Sequence, residues 1–414
     1  MFNFPLFSDV SAMQVGEVAR ALDVSVDTIR RWEKKGLIRG QRDARGQRIF
    51  DLDEVRLLQS KLTDKSSRGF TVLKAETPSP YTVIELFAGA GGLALGFENA
   101  GLNAKTLVEI DARAANTLKL NRPYWDVHAE DVANMQFPEG AADIVTGGFP
   151  CQAFSYAGKK MGFEDTRGTL FFEYARIVNA VRPKLIMAEN VRGLVNHDQG
   201  RTLQTMLGVL DELGYAVQWR VVRAQYLDVA QKRERWVMIG VRKDLAIAHV
   251  FPQERGYTLC LRDALADVSP SAGQTYTERK HAVMAQIPEG GYWRDLPEDL
   301  QREYMGASFF MGGGKTGMAR RLSWDEPSLT LTCNPAQKQT ERCHPSETRP
   351  LTVREYARIQ SFPDDWQFTG SVAAQYRQIG NAVPVNLGFH LGMCLRQMLD
   401  QLLPDALDPN AAEK

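Results

Sequence analysis

Hydrophobic and polar positions fall into three regimes along the chain. Apolar residues recur at helical spacing over 15–22, which predicts a first helix. Ser25 can cap a second helix over 26–35, and Gly36 stops it. Arg45-Gly46-Gln47 lies between short extended pieces and predicts a hairpin tip. Asp51 can cap a third helix over 52–61. From Tyr81 to about Arg242, apolar β-rich runs alternate with helical patterns. Strands are predicted at 81–87, 105–111, 142–149, 184–190, 219–224 and 235–241, with helices between them, for example over 170–181 and 202–213. Such alternation predicts a parallel α/β sheet covered on both faces. Residues 245–348 lose this rhythm, are rich in Gly and polar residues, and predict an irregular second domain. Helical signals return over 353–360 and 387–403, and the tail from Asp405 is expected to fray.

Ala75-Glu-Thr-Pro-Ser-Pro80 has the look of a linker, with two prolines among small polar residues. The expected division is therefore 1–74, a linker at 75–80, a sheet domain over 81–244, the irregular domain over 245–348, and a C-terminal return over 349–414 that completes the sheet domain. A length of 414 residues suits two to three domains at ~150 residues each. Lys and Arg total 50 against 50 Asp and Glu, so bulk charge does not mark a nucleic-acid binder. The distribution changes that picture. Residues 1–74 carry a basic excess, and the remainder a compensating acidic one. Contacts to nucleic acid outside the N-terminal segment must come from local patches. No apolar run reaches the ~18 residues of a membrane span, and no basic stretch precedes an apolar one at the N-terminus. Five cysteines without a C-x-x-C pair point to a reducing, cytoplasmic compartment.

Chemistry concentrates at predicted strand ends. The first strand runs into Phe87-Ala-Gly-Ala-Gly-Gly92, where Gly89, Gly91 and Gly92 permit a tight turn and close backbone approach to a ligand at a helix start. Glu109 ends the next strand, where a carboxylate can accept from ribose hydroxyls, and Asp131 lies at the position beyond. The glycine spacing departs from the dinucleotide fingerprint, so the loop points to a nucleoside cofactor rather than NAD. Cys151 in Phe149-Pro-Cys-Gln152 can serve as a thiolate nucleophile, although a free cysteine is more often a small buried hydrophobe. Glu189 ends another strand and can act as an acid or as an ion-paired cap. In Gln231-Lys-Arg-Glu-Arg235, strand alternation would place Gln231, Arg233 and Arg235 on one face, aimed into one cleft. Cys333, Cys343 and His344 lack the second close pair of a zinc site, so no metal is expected.

Together these motifs resemble the DNA (cytosine-5) methyltransferases of bacterial restriction–modification systems. The blocks that carry the resemblance are Phe87–Gly92, Gly148-Phe-Pro-Cys-Gln152, Glu189-Asn-Val191, Gln231–Arg235, Arg349–Pro363 and Gln378-Ile-Gly-Asn-Ala-Val-Pro384, in the family's order. The resemblance implies a Rossmann-like class I S-adenosylmethionine-dependent sheet with a smaller target-recognition domain over 245–348. It implies double-stranded DNA as partner, no membrane, and a monomer on the target site. Cys151 matches the nucleophile that attacks C6 of a flipped-out cytosine, Glu189 the group at N3, Arg235 a contact to the base, and Arg233 its support. Phe87, Gly89, Gly91, Gly92, Glu109, Ile110, Asp131, Val132, Asn381 and Ala382 match the S-adenosylmethionine pocket, with aliphatic Ile110 where many relatives have an aromatic residue. Gln152, Ser155, Gln231 and Thr330 fall among expected DNA contacts. A transfer-RNA cytosine-5 methyltransferase of the same fold is the second reading, but the Cys-Phe-Thr element of its relatives is absent. A regulator with a catalytically idle methyltransferase body is a third. The intact Cys151, Glu189 and Arg235 set argues against it.

The segment 15–38, extended through Arg48-Ile-Phe50, resembles a MerR-type winged helix-turn-helix. That resemblance places Arg30, Arg31 and Lys34 toward the major groove and Arg48 at the DNA backbone, with operator DNA as a further partner. The alternative is a basic helical domain that packs on the enzyme.

Overall fold

The computed structural model describes residues 12–22, 24–34, 38–43, 46–52, 54–55, 68–149, 170–312 and 315–403. They form two compact units, 1–68 and 69–414. In the first unit, β1 (Ala12–Gln14) leads into α1 (Val15–Ala21), followed by α2 (Val26–Lys34), β2 (Gly40–Arg42) and β3 (Arg48–Asp51). The strands pair antiparallel in the order β1-β3-β2. Ser25 caps α2 as its sequence position suggested, accepting from the Thr28 amide at 3.1 Å. The turn before β3 closes through Gly46, whose φ of +76° suits glycine and whose amide donates to Asp43 O. Val18, Ala19, Leu22, Ile29, Ile38, Phe50 and Val55 bury together as this unit's own core. Residues 52, 54 and 55 are helical at the start of the expected third helix, and the rest of its span lies outside the described residues.

The second unit is built on a seven-stranded sheet. Its strands are β4 (Thr82–Leu86), β5 (Asn103–Val108), β6 (Asp126–His128), β7 (Ile144–Gly147), β8 (Leu185–Val191), β9 (Tyr215–Arg223) and, beyond the short β10 (Gln231–Lys232), β11 (Glu234–Arg242). The order across the sheet is β6-β5-β4-β7-β8-β11-β9. Helices α3 (Gly92–Asn99), α4 (Ala112–Asn121), α5 (Leu170–Val181) and α6 (Arg201–Glu212) fill the connections. The expected parallel sheet holds from β6 to β8, whereas β11 runs antiparallel to both neighbours. Only a short excursion joins β9 to β11, and without a crossover helix adjacent strands must run antiparallel.

Alternate residues of each strand feed opposite layers, as period-two geometry requires. Val83, Leu185, Met187, Val237 and Ile239 pack on one side with Leu93, Phe97, Leu387 and Leu391. Ile84, Ile186, Trp236 and Met238 pack on the other with Phe171, Tyr174, Met206 and Leu210. Each such fully buried side chain contributes about 1.5–3 kcal/mol.

The boundary falls at Arg68/Gly69, earlier than expected, and 75–80 is not a free linker. Ala75 N donates to Asn99 O and Ser79 N to Gly101 O, and Arg396 binds Thr77 O. Its prolines stop it from forming an element, yet its remaining polar groups find partners on the second unit. Residues 245–348 are likewise not detached. Helix α7 (Leu261–Leu265), Leu322 and Leu331 join the main core. Among the described residues of this segment, only the stretch containing α8 (Glu278–Met284) and α9 (Glu298–Met305) has a separate cluster, which includes Met284, Trp293, Met305, Met318 and Cys343. Buried Arg321 substitutes there for regular structure, donating to the carbonyls of Met284, Ile287, His344 and Glu347. Strand β12 (Ser328–Leu329) pairs parallel with β10. The chain then returns through α10 (Val353–Ile359), α11 (Val372–Asn381) and α12 (Val385–Asp400), the last lying against α3. No helix among the described residues is long and apolar enough to cross a membrane.

Candidate active site

Strand order reverses at β4, between β5 and β7, so the carboxyl ends of these strands open a crevice. A cavity of about 630 Å³ occupies it, within the usual range for small-molecule sites. Phe87, Gly89, Glu109, Ile110, Asp131, Val132, Gly148, Phe149, Glu189, Arg233, Arg235 and Asn381 all line it.

The loop after β4 is held in an uncommon backbone. Phe87 has φ +61°, a left-handed conformation that costs a non-glycine residue about 1–3 kcal/mol. Two contacts fix it: Ala88 N donates to Val108 O at 3.0 Å, and Gly89 N to Glu109 Oε2 at 2.7 Å. Glu109 Oε1 accepts from Asp111 N, also at 2.7 Å. Burial raises the Glu109 pKa, and these amides oppose the shift. Glu109 thus braces the glycine loop while facing the cavity. Asp131 caps the turn 132–134 through Ala133 N, and Ile110 stands 67% exposed at the rim, an apolar face available to a flat ring. A cavity of this size with a carboxylate, an aliphatic platform and a close-approach glycine loop fits S-adenosylmethionine.

Three expected cofactor residues do not line the cavity. Gly91 and Gly92 lie behind the wall. A Cβ on Gly91 would meet Leu118 at 2.6 Å, and one on Gly92 would meet Val383 O at 2.0 Å. Their smallness lets the return segment close on the loop. Ala382 is buried and gives its carbonyl to Arg233, leaving neighbouring Asn381 on the cavity.

Glu189, at the end of β8, and Arg235, at the start of β11, face each other as an ion pair at 2.5 Å, both nearly buried. Antiparallel pairing of β11 with β8 aligns them, with Arg235 opposite Val191 and Val237 opposite Glu189. Arg233 is fully enclosed. Its guanidinium donates to Ala382 O at 2.9 Å and to Gly380 O at 3.3 Å. Burial, then Arg235, push its pKa down to about 9, so it stays charged near neutrality. These bonds tie the residue just before β11 to the return segment. Gln231 does not line the cavity with the two arginines; like Arg233 it is directed at the return segment, where Gln360 donates to the same Ala382 carbonyl that Arg233 binds. Its buried amide bonds Gln360 and the Leu331 amide, so the expected DNA contact is replaced by a role in the core. Thr330 donates to Lys232 O and lines a neighbouring groove.

Asn190 was not anticipated. Its amide donates to Phe149 O at 2.8 Å and so fixes the last described residue before Cys151. Arg113, Arg377 and Gln378 also line the cavity; nothing in the sequence context of the two arginines marked them, whereas Gln378 opens the block Gln378–Pro384. Cys151, Gln152 and Ser155 lie outside the described residues. In the N-terminal unit Arg30 pairs with Asp27 and Arg48 with Glu33, while Arg31 is exposed and the Lys34 side chain is outside the described residues.

Residues 81–396 match the C-5 cytosine-specific DNA methylase family, and 14–50 match the MerR family of regulatory proteins. The chain is 53% identical over 408 residues to the Type II methyltransferase M.Eco47II of Escherichia coli, covering 94% of this chain and 96% of that one. It is 56% identical over 330 residues to the Type II methyltransferase M.Sau96I of Staphylococcus aureus, covering 78% and 77%. Among solved structures it superposes on a prophage-encoded DNA modification methyltransferase of E. coli with TM-score 0.57 at 24% identity, covering 77% of this chain and 99% of the other, a likeness of fold. A mostly parallel sheet with the crevice at its switch point, a braced glycine loop and a buried Glu–Arg pair accord with these matches: the chain belongs to the C-5 cytosine-specific DNA methylase family and is a DNA (cytosine-5) methyltransferase carrying a MerR-like helix-turn-helix segment.

Proposed function

We propose that the chain methylates one cytosine in a specific duplex sequence by covalent catalysis, as the modification enzyme of a Type II restriction–modification system. The observation that carries this reading is the Glu189–Arg235 pair standing in the same cavity as the Glu109-braced loop. A cytosine flipped from the stack would present N3 to Glu189 while Arg235 holds that carboxylate and reaches the base. C5 of cytosine is a poor nucleophile. Addition of the Cys151 thiolate at C6 makes C5 enamine-like, and loss of the C5 proton followed by thiol elimination restores the ring. S-adenosylmethionine supplies the methyl group when bound. Glu109, Ile110, Asp131 and Asn381 would hold its nucleoside. The N-terminal unit would bind a separate operator, consistent with its MerR-like segment.

The test is adduct trapping. Duplex DNA with 5-fluorocytosine at the target cannot lose a C5 proton, so with S-adenosylmethionine the protein should shift to a slower band on denaturing gels. Cys151→Ala should abolish that band. A band that persists in Cys151→Ala removes Cys151 as the nucleophile.

A further inference from the structure

A second depression of about 380 Å³ adjoins the main cavity and shares Val191 and Arg235 with it as a common wall. Its other walls include Arg192, Lys232, Glu234 and Thr330. Three cations converge on it, and the two outside the main cavity are each held by a carboxylate. Arg192 Nη1 lies 2.7 Å from Glu234 Oε2, with side chains 64% and 41% exposed. Lys232 Nζ lies 2.7 Å from Glu326 Oε2, with side chains 39% and 54% exposed. Exposed pairs of this kind are worth about 0–1 kcal/mol, so a competing anion displaces them cheaply. The Arg235–Glu189 pair beside them is almost buried and does not exchange in this way.

We infer that this groove seats the target strand's phosphates beside the flipped nucleotide, and that Glu234 and Glu326 occupy its cations until DNA displaces them. The inference rests on the proposed function and deepens it. A nucleotide that rotates out of the stack keeps its flanking phosphodiesters, and a base in the main cavity leaves them at the cavity mouth, where Val191 and Arg235 separate the two depressions. A guanidinium fork takes two phosphate oxygens at once, and an ammonium serves as a point charge beside it. The groove is held rigid where it must be. Thr330 Oγ1 donates to Lys232 O at 2.7 Å, and β10 pairs with β12 through Gln231–Ser328 and Lys232–Leu329. Glu234 and Glu326 then act as internal phosphate substitutes. They lower affinity for any duplex that does not insert a nucleotide deeply enough to replace them.

The test measures binding of the full chain to a labelled duplex carrying the methylated motif, mapped beforehand by sequencing 5-methylcytosine in plasmid from cells that make the protein. Arg192→Gln and Lys232→Gln should each reduce the slope of log affinity against log salt by about 0.9, the loss of one phosphate contact. Glu234→Gln should tighten binding roughly two- to five-fold, the range an exposed ion pair corresponds to. In an Arg192→Gln background Glu234→Gln should change nothing, because its effect passes through Arg192. Unchanged slopes in both cation variants, or equal tightening by Glu234→Gln without Arg192, would overturn the inference. Wild-type protein that methylates and forms the fluorocytosine adduct while the slopes stay fixed refutes the groove alone. Wild-type protein that methylates nothing refutes the proposed function and the groove with it.

Discussion

Gly96 offers a test of how the cavity is closed. It sits on α3 against α12, and a Cβ built there would lie 2.5 Å from Val385 O and 2.6 Å from the Cα and C atoms of Gly388. Ordinary carbon contacts need about 3.5–4.0 Å, and the atoms met are backbone, so the helices must part by roughly 1 Å. Overpacking of this order costs about 1–3 kcal/mol. Alanine's better helix propensity returns about 0.8–1.0 kcal/mol, which leaves Gly96→Ala roughly 0–2 kcal/mol less stable. The strain also reaches the site, since Asn381 lines the cavity four residues before α12 begins. Gly208 in α6 provides the control: it is exposed, and nothing lies within 4 Å of its Cβ position. Gly208→Ala should therefore stabilise by about 0.5–1 kcal/mol. Urea unfolding of both variants, with S-adenosylmethionine titration, measures the contrast. If Gly96→Ala proves as stable as Gly208→Ala and binds cofactor like wild type, bare backbone contact does not set the α3–α12 spacing.

Three further outcomes are expected. Glu109→Ala removes a carboxylate that braces Gly89 and faces the cavity, and calorimetry should show a loss of about 1.5–3 kcal/mol in S-adenosylmethionine binding; unchanged affinity would take Glu109 out of the pocket. Glu85 is buried with Oε2 unpartnered, and burial first, then the charge of Glu109, hold its pKa well above the usual carboxylate range. The folded state thus binds that proton more tightly than the unfolded one. Its contribution is fully present below the ordinary carboxylate pKa and is lost as pH rises toward the raised value. Glu85→Gln should flatten that decline in urea unfolding carried from the ordinary carboxylate range upward in pH, and parallel curves for the two proteins would contradict the argument. A chain beginning at Gly69, the observed boundary, should methylate the same motif by bisulfite mapping yet lose salt-sensitive binding to upstream promoter DNA; a relaxed motif would mean that the N-terminal unit takes part in target choice.

The sequence alone determined the class of fold, most strands and the family to which the chain belongs. Those features are local: buried strands read as apolar runs, glycines mark the turn after β4, and Glu109 and Glu189 stand at strand ends where direction along the chain already aims them at one sheet edge. β6 escaped notice because three residues carry no periodicity, and the reversed β11 because strand direction is set by the connection rather than by composition. Contacts made between distant segments were decided by tertiary structure. Gln231 reads like a cleft residue until the return segment brings Gln360, 129 positions away, to its buried amide. Gly91 and Gly92 read like ligand glycines, but Leu118 and Val383 crowd them from elsewhere in the chain. The stretch 75–80 reads like a linker until Asn99, Gly101 and Arg396 supply its partners. In each case the local pattern stated what a residue could do, and the packing of remote backbone fixed which of those options was sterically and electrostatically open.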